Sequence, residues 1–202
     1  MSDRLAPLDF GTMTEVVQFL MELDKLKTVE RRTRLLSNAR QENSAEHSWH
    51  LAMAAMSLAP FAREAVNVQH VIQMALLHDV VEIDAGDVMV YDIAAREAIQ
   101  QQEVAAAERI FGLLPDELNQ RFRALWDEYE AGESVDARFA NMLDRALPII
   151  LNLHNEGQSW RENSIRLEQV EARNVQLASQ WPELWCHLKK HLDDAQAKGW
   201  LL

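Results

Sequence analysis

Apolar residues recur along this chain at three- and four-residue intervals, and that period predicts helices. Val16, Val17, Leu20, Met21 and Leu26 form one stripe over about Met13–Leu26, with Thr14 or Asp9 placed to cap its start. The polar stretch Lys27–Asn43 has no such period and predicts a solvated loop. Asn43, with Glu46 three residues on, predicts the start of a second helix over about Ser44–Phe61. A third helix, about Val68–Asp84, is apolar almost all round through Val71–Leu77 and should be central, stopping at Gly86. A loop holding Asp87, Tyr91 and Asp92 should lead to a helix over about Ala94–Phe111. Pro115 opens another helix to about Tyr129, and Ala131–Ser134 form a turn. The next helix, about Val135–Asn155, turns Phe139, Met142, Leu143, Leu147 and Ile150 inward, with Asp144 among them. Two more follow, about Ser164–Gln180 and Pro182–Ala197. No strand-and-turn alternation, repeat or low-complexity segment stands out, so the expected class is all-α. The chain reads as a single domain over 1–202, with a core at about 14–155 and a C-terminal helical extension at about 160–202.

Composition narrows the function. Six Gly and five Pro leave few breaks between helices. The net charge of -12 repels nucleic-acid phosphates, which argues against a polymer partner. It leaves small phosphate esters open, because a bound cation dominates the field near a site. Cys186 is the one cysteine, which fits a reducing compartment. The first residues hold no apolar stretch of signal-peptide length, and no run approaches the roughly 20 apolar residues of a membrane span. The expectation is a cytoplasmic protein without a membrane partner.

The chemistry centres on His78-Asp79, at the end of the apolar third helix. Burying a carboxylate beside an imidazole costs several kcal/mol unless something compensates, and a divalent cation would compensate both. His47 at the start of the second helix and Asp144 in the later one place further ligand types on separate core helices. Taken singly, His47 suits a cap or surface position and Asp144 an ion pair; the ordered set is what carries specificity. Glu82, one helical turn after His78, and Asp87, just past Gly86, are acids that could move protons beside such a centre. The alternatives are a carboxylate orienting a ligating histidine for Glu82, and an ordinary turn residue for Asp87. Asp84 reads as a surface acid, and His50 as an exposed helix position. His187 and His191 lack an acidic third ligand. Trp181, Trp185 and Trp200 look like packing residues of a C-terminal helix pair, or a partner surface.

Ser44–Ser48 (SAEHS), Ala75–Glu82 (ALLHDVVE), Gly86-Asp87 and Asn141–Asp144 (NMLD) resemble the signature of HD-domain phosphohydrolases, most closely the 5'-deoxynucleotidase branch. The resemblance runs from about Val16 to Leu153. It implies an HD-domain helical bundle in which His47, His78, Asp79 and Asp144 bind one divalent metal ion, of Mn, Co, Fe or Zn. It implies catalytic roles for Glu82 and Asp87, and a phosphate-binding arginine from the basic stretch, for which Arg32 and Arg40 are the matching positions. It also implies a homodimer and a nucleoside 5'-monophosphate substrate. Other nucleotides (triphosphate, cyclic or guanosine polyphosphate) or a metal- and nucleotide-binding sensor without turnover are the competing readings. The chain departs from the pattern at Thr33, Arg34 and Leu35, where a tryptophan close to the arginine is usual, and this leaves sugar and base preference open.

Overall fold

The computed structural model describes residues 8–37, 40–87 and 93–202, with backbone alone for 93–98. Tyr91 and Asp92 lie outside the described residues. The N-terminal helix α1 (Thr14–Leu23) follows a turn in which Asp9 accepts a hydrogen bond from the Gly11 N–H. Its inward stripe is Val16, Phe19 and Leu23, continued by Leu26; Leu20 and Met21, expected inside, are exposed. Phe19 sets that rotation by packing edge-on against Phe122 at 5.7 Å.

The basic stretch is not a featureless loop. It forms a two-stranded antiparallel hairpin, β1 (Glu30–Arg34) and β2 (Gln41–Asn43), with Glu30 opposite Asn43 and Arg34 opposite Gln41. Alternation along β1 exposes Glu30 and Arg32 and buries Arg31 between them. The hairpin delivers the chain into α2 (Ser44–Leu58), whose start is a full capping box: Asn43 accepts from the Glu46 N–H, and the Glu46 carboxylate accepts from the Asn43 N–H.

The central helix α3 (Val68–Leu77) buries Val71, Met74 and Ala75 completely. Its α-geometry stops at Leu77. A 3-10 turn over His78–Val81 and the one-turn α4 (Glu82–Ala85) follow, ending at Gly86 with φ +77°. Then come α5 (Ile93–Phe111), α6 (Asp116–Ala131) and α7 (Val135–His154), the last capped by Ser134 Oγ. Three short helices, α8 (Gln158–Glu162), α9 (Leu167–Arg173) and α10 (Val175–Gln180), and the longer α11 (Pro182–Ala197) follow. The helix expected over 164–180 is thus broken at Asn174, whose amide donates to Val170 O. Leu177, Leu192 and Ala195 of this C-terminal set join one continuous apolar cluster with Leu51, Met74 and Leu143. Among the described residues, no helix is long and apolar enough to cross a membrane.

Candidate metal centre

The start of α2, the 3-10 turn after α3 and the middle of α7 meet at one point. His47 Nε2 lies 2.8 Å from Asp144 Oδ1. His78 Nε2 lies 3.0 Å from Asp79 Oδ1 and 4.0 Å from Asp144 Oδ1. Asp79 Oδ2 is 3.9 Å from His47 Nε2. One ligand atom from each of His47, His78 and Asp144 falls within 4.8 Å of the others, a grouping that could hold a metal ion. Asp79 stands beside this trio with Oδ2 turned to Arg31. The 3-10 turn brings about this convergence, because its tighter winding re-aims His78 and Asp79 relative to the α3 face above them.

Both histidine rings are almost fully buried, whereas the Asp144 side chain keeps 28% of its surface, so the centre opens toward solvent on the α7 side. His78 Nδ1 donates to the Ala75 carbonyl at 2.9 Å. A carbonyl only accepts, so this bond places the proton on Nδ1 and leaves Nε2 as the lone pair of the neutral ring. Among the described residues that Nε2 is buried with no well-aligned hydrogen-bond partner, although Asp79 Oδ1 lies 3.0 Å away. Tyr129 supports the other wall: its ring packs 4.8 Å from the His78 ring, and its hydroxyl donates to the Asp144 carboxylate.

The charges ask for a cation. Burial alone raises the Asp144 carboxyl, but the hydrogen bond and charge of His47, and the charges of His78 and Arg31, hold it far below the ordinary range. Burial acts the same way on Asp79 and is outweighed by His78 and Arg31. His47 is pushed down by burial and by Arg31. Burial also lowers His78, yet Asp79 and Asp144 pull it up to about 9. A neutral imidazole, two retained carboxylates and an imidazole that attracts positive charge form a donor set suited to a divalent ion.

Arg31, on the buried side of β1, is the hub of a second layer. Its Nη1 donates to Asp79 Oδ2 at 2.7 Å and lies 3.8 Å from Asp87 Oδ1 and 3.9 Å from Glu82 Oε1. Its Nε faces Glu42 Oε2 at 3.8 Å, and Glu42 Oε2 is 3.7 Å from His47 Nδ1. Glu82 accepts from Ser44 Oγ, yet burial and the Asp79 charge raise its carboxyl well above the usual range. Asp87 is raised by burial against the pull of Arg31, while the main-chain N–H of Arg32 donates to it. Burial lifts Glu42 to about 7.

The candidate arginines stand apart from this layer. The Arg32 side chain is exposed, and its main chain is what meets Asp87. Arg40 is exposed and pairs with Glu46. Arg31, Glu42 and the Tyr129 hydroxyl were not singled out by the sequence reading; the alternation of a strand through 30–34 was the available signal for Arg31. Asp84 pairs with Arg109 on the surface.

A helical bundle holding a His…His-Asp…Asp centre across three helical elements defines the class of metal-binding HD folds. The family model for the HD domain matches residues 23–185, and the chain belongs to that family. It is 31% identical over 136 residues to the human 5'-deoxynucleotidase HDDC2, covering 67% of this chain and 65% of that protein, so it spans somewhat less than two thirds of that relative's length. It is 33% identical to a 5'-deoxynucleotidase of Erwinia tasmaniensis, covering 77% and 83% of the two chains. Among solved structures, a metal-dependent phosphohydrolase of Magnetospirillum magnetotacticum MS-1, so assigned by prediction, superposes with TM-score 0.87 at 40% identity, covering 94% of this chain and 97% of the other.

Proposed function

We propose that this protein is a metal-dependent phosphomonoesterase acting on nucleoside 5'-monophosphates. The observation that carries the reading is the convergence of two buried imidazoles, His47 and His78, on the partly exposed Asp144, with Asp79 alongside. The activity named for the two 5'-deoxynucleotidase relatives, and for the magnetotactic homologue, supports the same choice. His47, His78, Asp79 and Asp144 would hold one divalent ion, of Mn, Co, Fe or Zn. Such an ion supplies Lewis-acid activation of water and a charge opposite the phosphate oxygens.

The chain's own groups do the rest. Glu82 and Asp87, whose carboxyls burial raises above their ordinary range, divide the proton work: the ionised one takes a proton from the attacking water and the protonated one gives a proton to the leaving oxygen. Arg31 replaces Arg32 and Arg40 as the phosphate-binding arginine, because it alone of the three reaches the ligand carboxylate Asp79 and both proton-handling acids. The net charge of -12 supports a small nucleotide over a nucleic-acid polymer, and the reading places the enzyme in the cytoplasm as a homodimer. The test is phosphate release from a panel of nucleoside 5'-monophosphates with Mn or Co added. Release by wild type and none by Asp144→Ala is expected. Equal rates in the two would defeat the assignment. Release of pyrophosphate from triphosphates, or tight binding without turnover, would redirect it to the competing readings.

A further inference from the structure

The outer face of α2 is as apolar as its inner face. Leu51 and Ala55 are fully buried against the core, while Trp49, Met53 and Met56 on the other side are 62%, 42% and 54% exposed. Pro60 and Phe61 in the following 3-10 turn continue the stripe, Phe61 being 67% exposed. From His47 to Ala62 the chain carries no Asp, Glu, Lys or Arg. A helix apolar on both sides belongs in an interior. Trp, Met and Phe are also the residues enriched where proteins meet.

We propose that this face is the seam of a two-fold dimer in which the α2 helices of two copies of this chain pack antiparallel. Spacing is the first argument. Residues 49, 53, 56 and 60 follow a four-three-four pattern, that of a helix–helix seam rather than of a general surface. Symmetry is the second. The pattern is palindromic about a point between Met53 and Met56, so an antiparallel pair sets Trp49 against the Pro60–Phe61 end, and Met53 against Met56, twice over. A closed isologous interface requires that self-complementarity. Charge is the third. Two copies that each carry -12 repel across any face bearing its share of the 32 acidic residues, and this face bears none. The proposal gives the homodimer of the preceding reading its contact surface. It uses no residue of the metal centre, so the two can fail separately.

Sedimentation at micromolar concentration tests it, with metal-dependent phosphate release and thermal unfolding read on the same samples. Wild type should run at twice the 23.2 kDa chain mass. Met56→Glu and Met53→Lys, each at an exposed position, should keep a cooperative melting transition, now independent of protein concentration, and weaken association by about 100-fold or more, since each buries an unpaired charge in the seam. Combining Met53→Lys with Met56→Glu should restore the dimer, because antiparallel pairing sets Lys against Glu. A wild type at 23.2 kDa overturns the proposal, and so does a monomer that co-sediments with lipid vesicles. Single variants that stay dimeric, or a double variant no tighter than the singles, also overturn it. Loss of phosphate release in an intact dimer counts against the enzyme reading alone.

Discussion

The two ends of α3 each hold a histidine against a carboxylate, and the two pairs differ in what surrounds them. At the N-terminal end, His70 Nε2 lies 2.7 Å from Glu128 Oε2, with both side chains about one-third exposed. The other Glu128 oxygen accepts from Ser134 Oγ, so water and a hydroxyl complete the pair. At the C-terminal end, His78 and Asp79 sit almost out of reach of water beside a second imidazole, a second carboxylate and a guanidinium. Among the described residues, one buried ring nitrogen there has no well-aligned hydrogen-bond partner. The first pair is satisfied locally; the second gathers two carboxylates and two imidazoles that a divalent cation would compensate together. A histidine beside an acid therefore marks a metal centre only when burial and unmet coordination come with it.

The largest test of this contrast is substitution at each end. Asp79→Ala should abolish bound metal, read by elemental analysis, together with phosphate release. His70→Ala should leave metal content unchanged and the rate within about two-fold, as for a surface residue outside the reacting groups. Equal losses at both ends would erase the distinction.

Next comes the arginine. Arg31→Ala should lower kcat by about 100- to 1,000-fold, the range for removing a donor aimed at developing charge. Arg31→Lys should recover little of that, since a single ammonium cannot hold Asp79 and a phosphate oxygen with one planar fork. Arg40→Ala should cost nothing measurable beyond its surface pair with Glu46. An Arg40 variant as impaired as Arg31→Ala would return the phosphate role to the sequence-based candidate.

This arginine also shows what was legible in advance. Singly, His47 suited a cap and Asp144 an ion pair; the ordered set with His78 was legible through its resemblance to the HD signature, and the structure brings the three together. The period of 3.6 was readable across α2, α3 and α7. The hairpin was not, since five residues of β1 rich in Arg and Glu carry no apolar alternation, and its inward residue is itself a charge. Reading 27–43 as a loop left the arginines interchangeable, and only the strand's two-residue period separates Arg31 from Arg32. The end of α3 failed for another reason: a 3-10 turn over four residues has no composition of its own. Likewise Leu20 and Met21 fit a stripe as well as Phe19 does, and only the partner Phe122 decides.

A smaller effect separates the two ends in stability. Metal present at 100 times its dissociation constant should stabilise the chain by about 2.7 kcal/mol. For a chain of this size that is a rise in Tm of roughly 5 to 10 °C over chelated protein. His47→Ala should remove the rise, and Glu128→Gln should keep it. A chelator that leaves Tm unchanged would mean that the buried end is satisfied without a cation.

The smallest effect belongs to the exposed pair itself. Burial alone raises the Glu128 carboxyl, but hydrogen bonds from Ser134 and His70 outweigh it and hold the folded value below 4.5. A depressed carboxyl stabilises the fold above its unfolded value, and that contribution is lost as pH falls through the folded one. Glu128→Gln should therefore cost no more than about 1 kcal/mol near neutral pH, because the pair is one-third exposed and screened. The gap between variant and wild type in urea unfolding should narrow steadily below pH 4.5. A gap that persists unchanged into acid would assign the cost to shape rather than charge. A gap of several kcal/mol would make this end as demanding as the buried one, and the contrast between them would then rest on the buried His78 nitrogen alone.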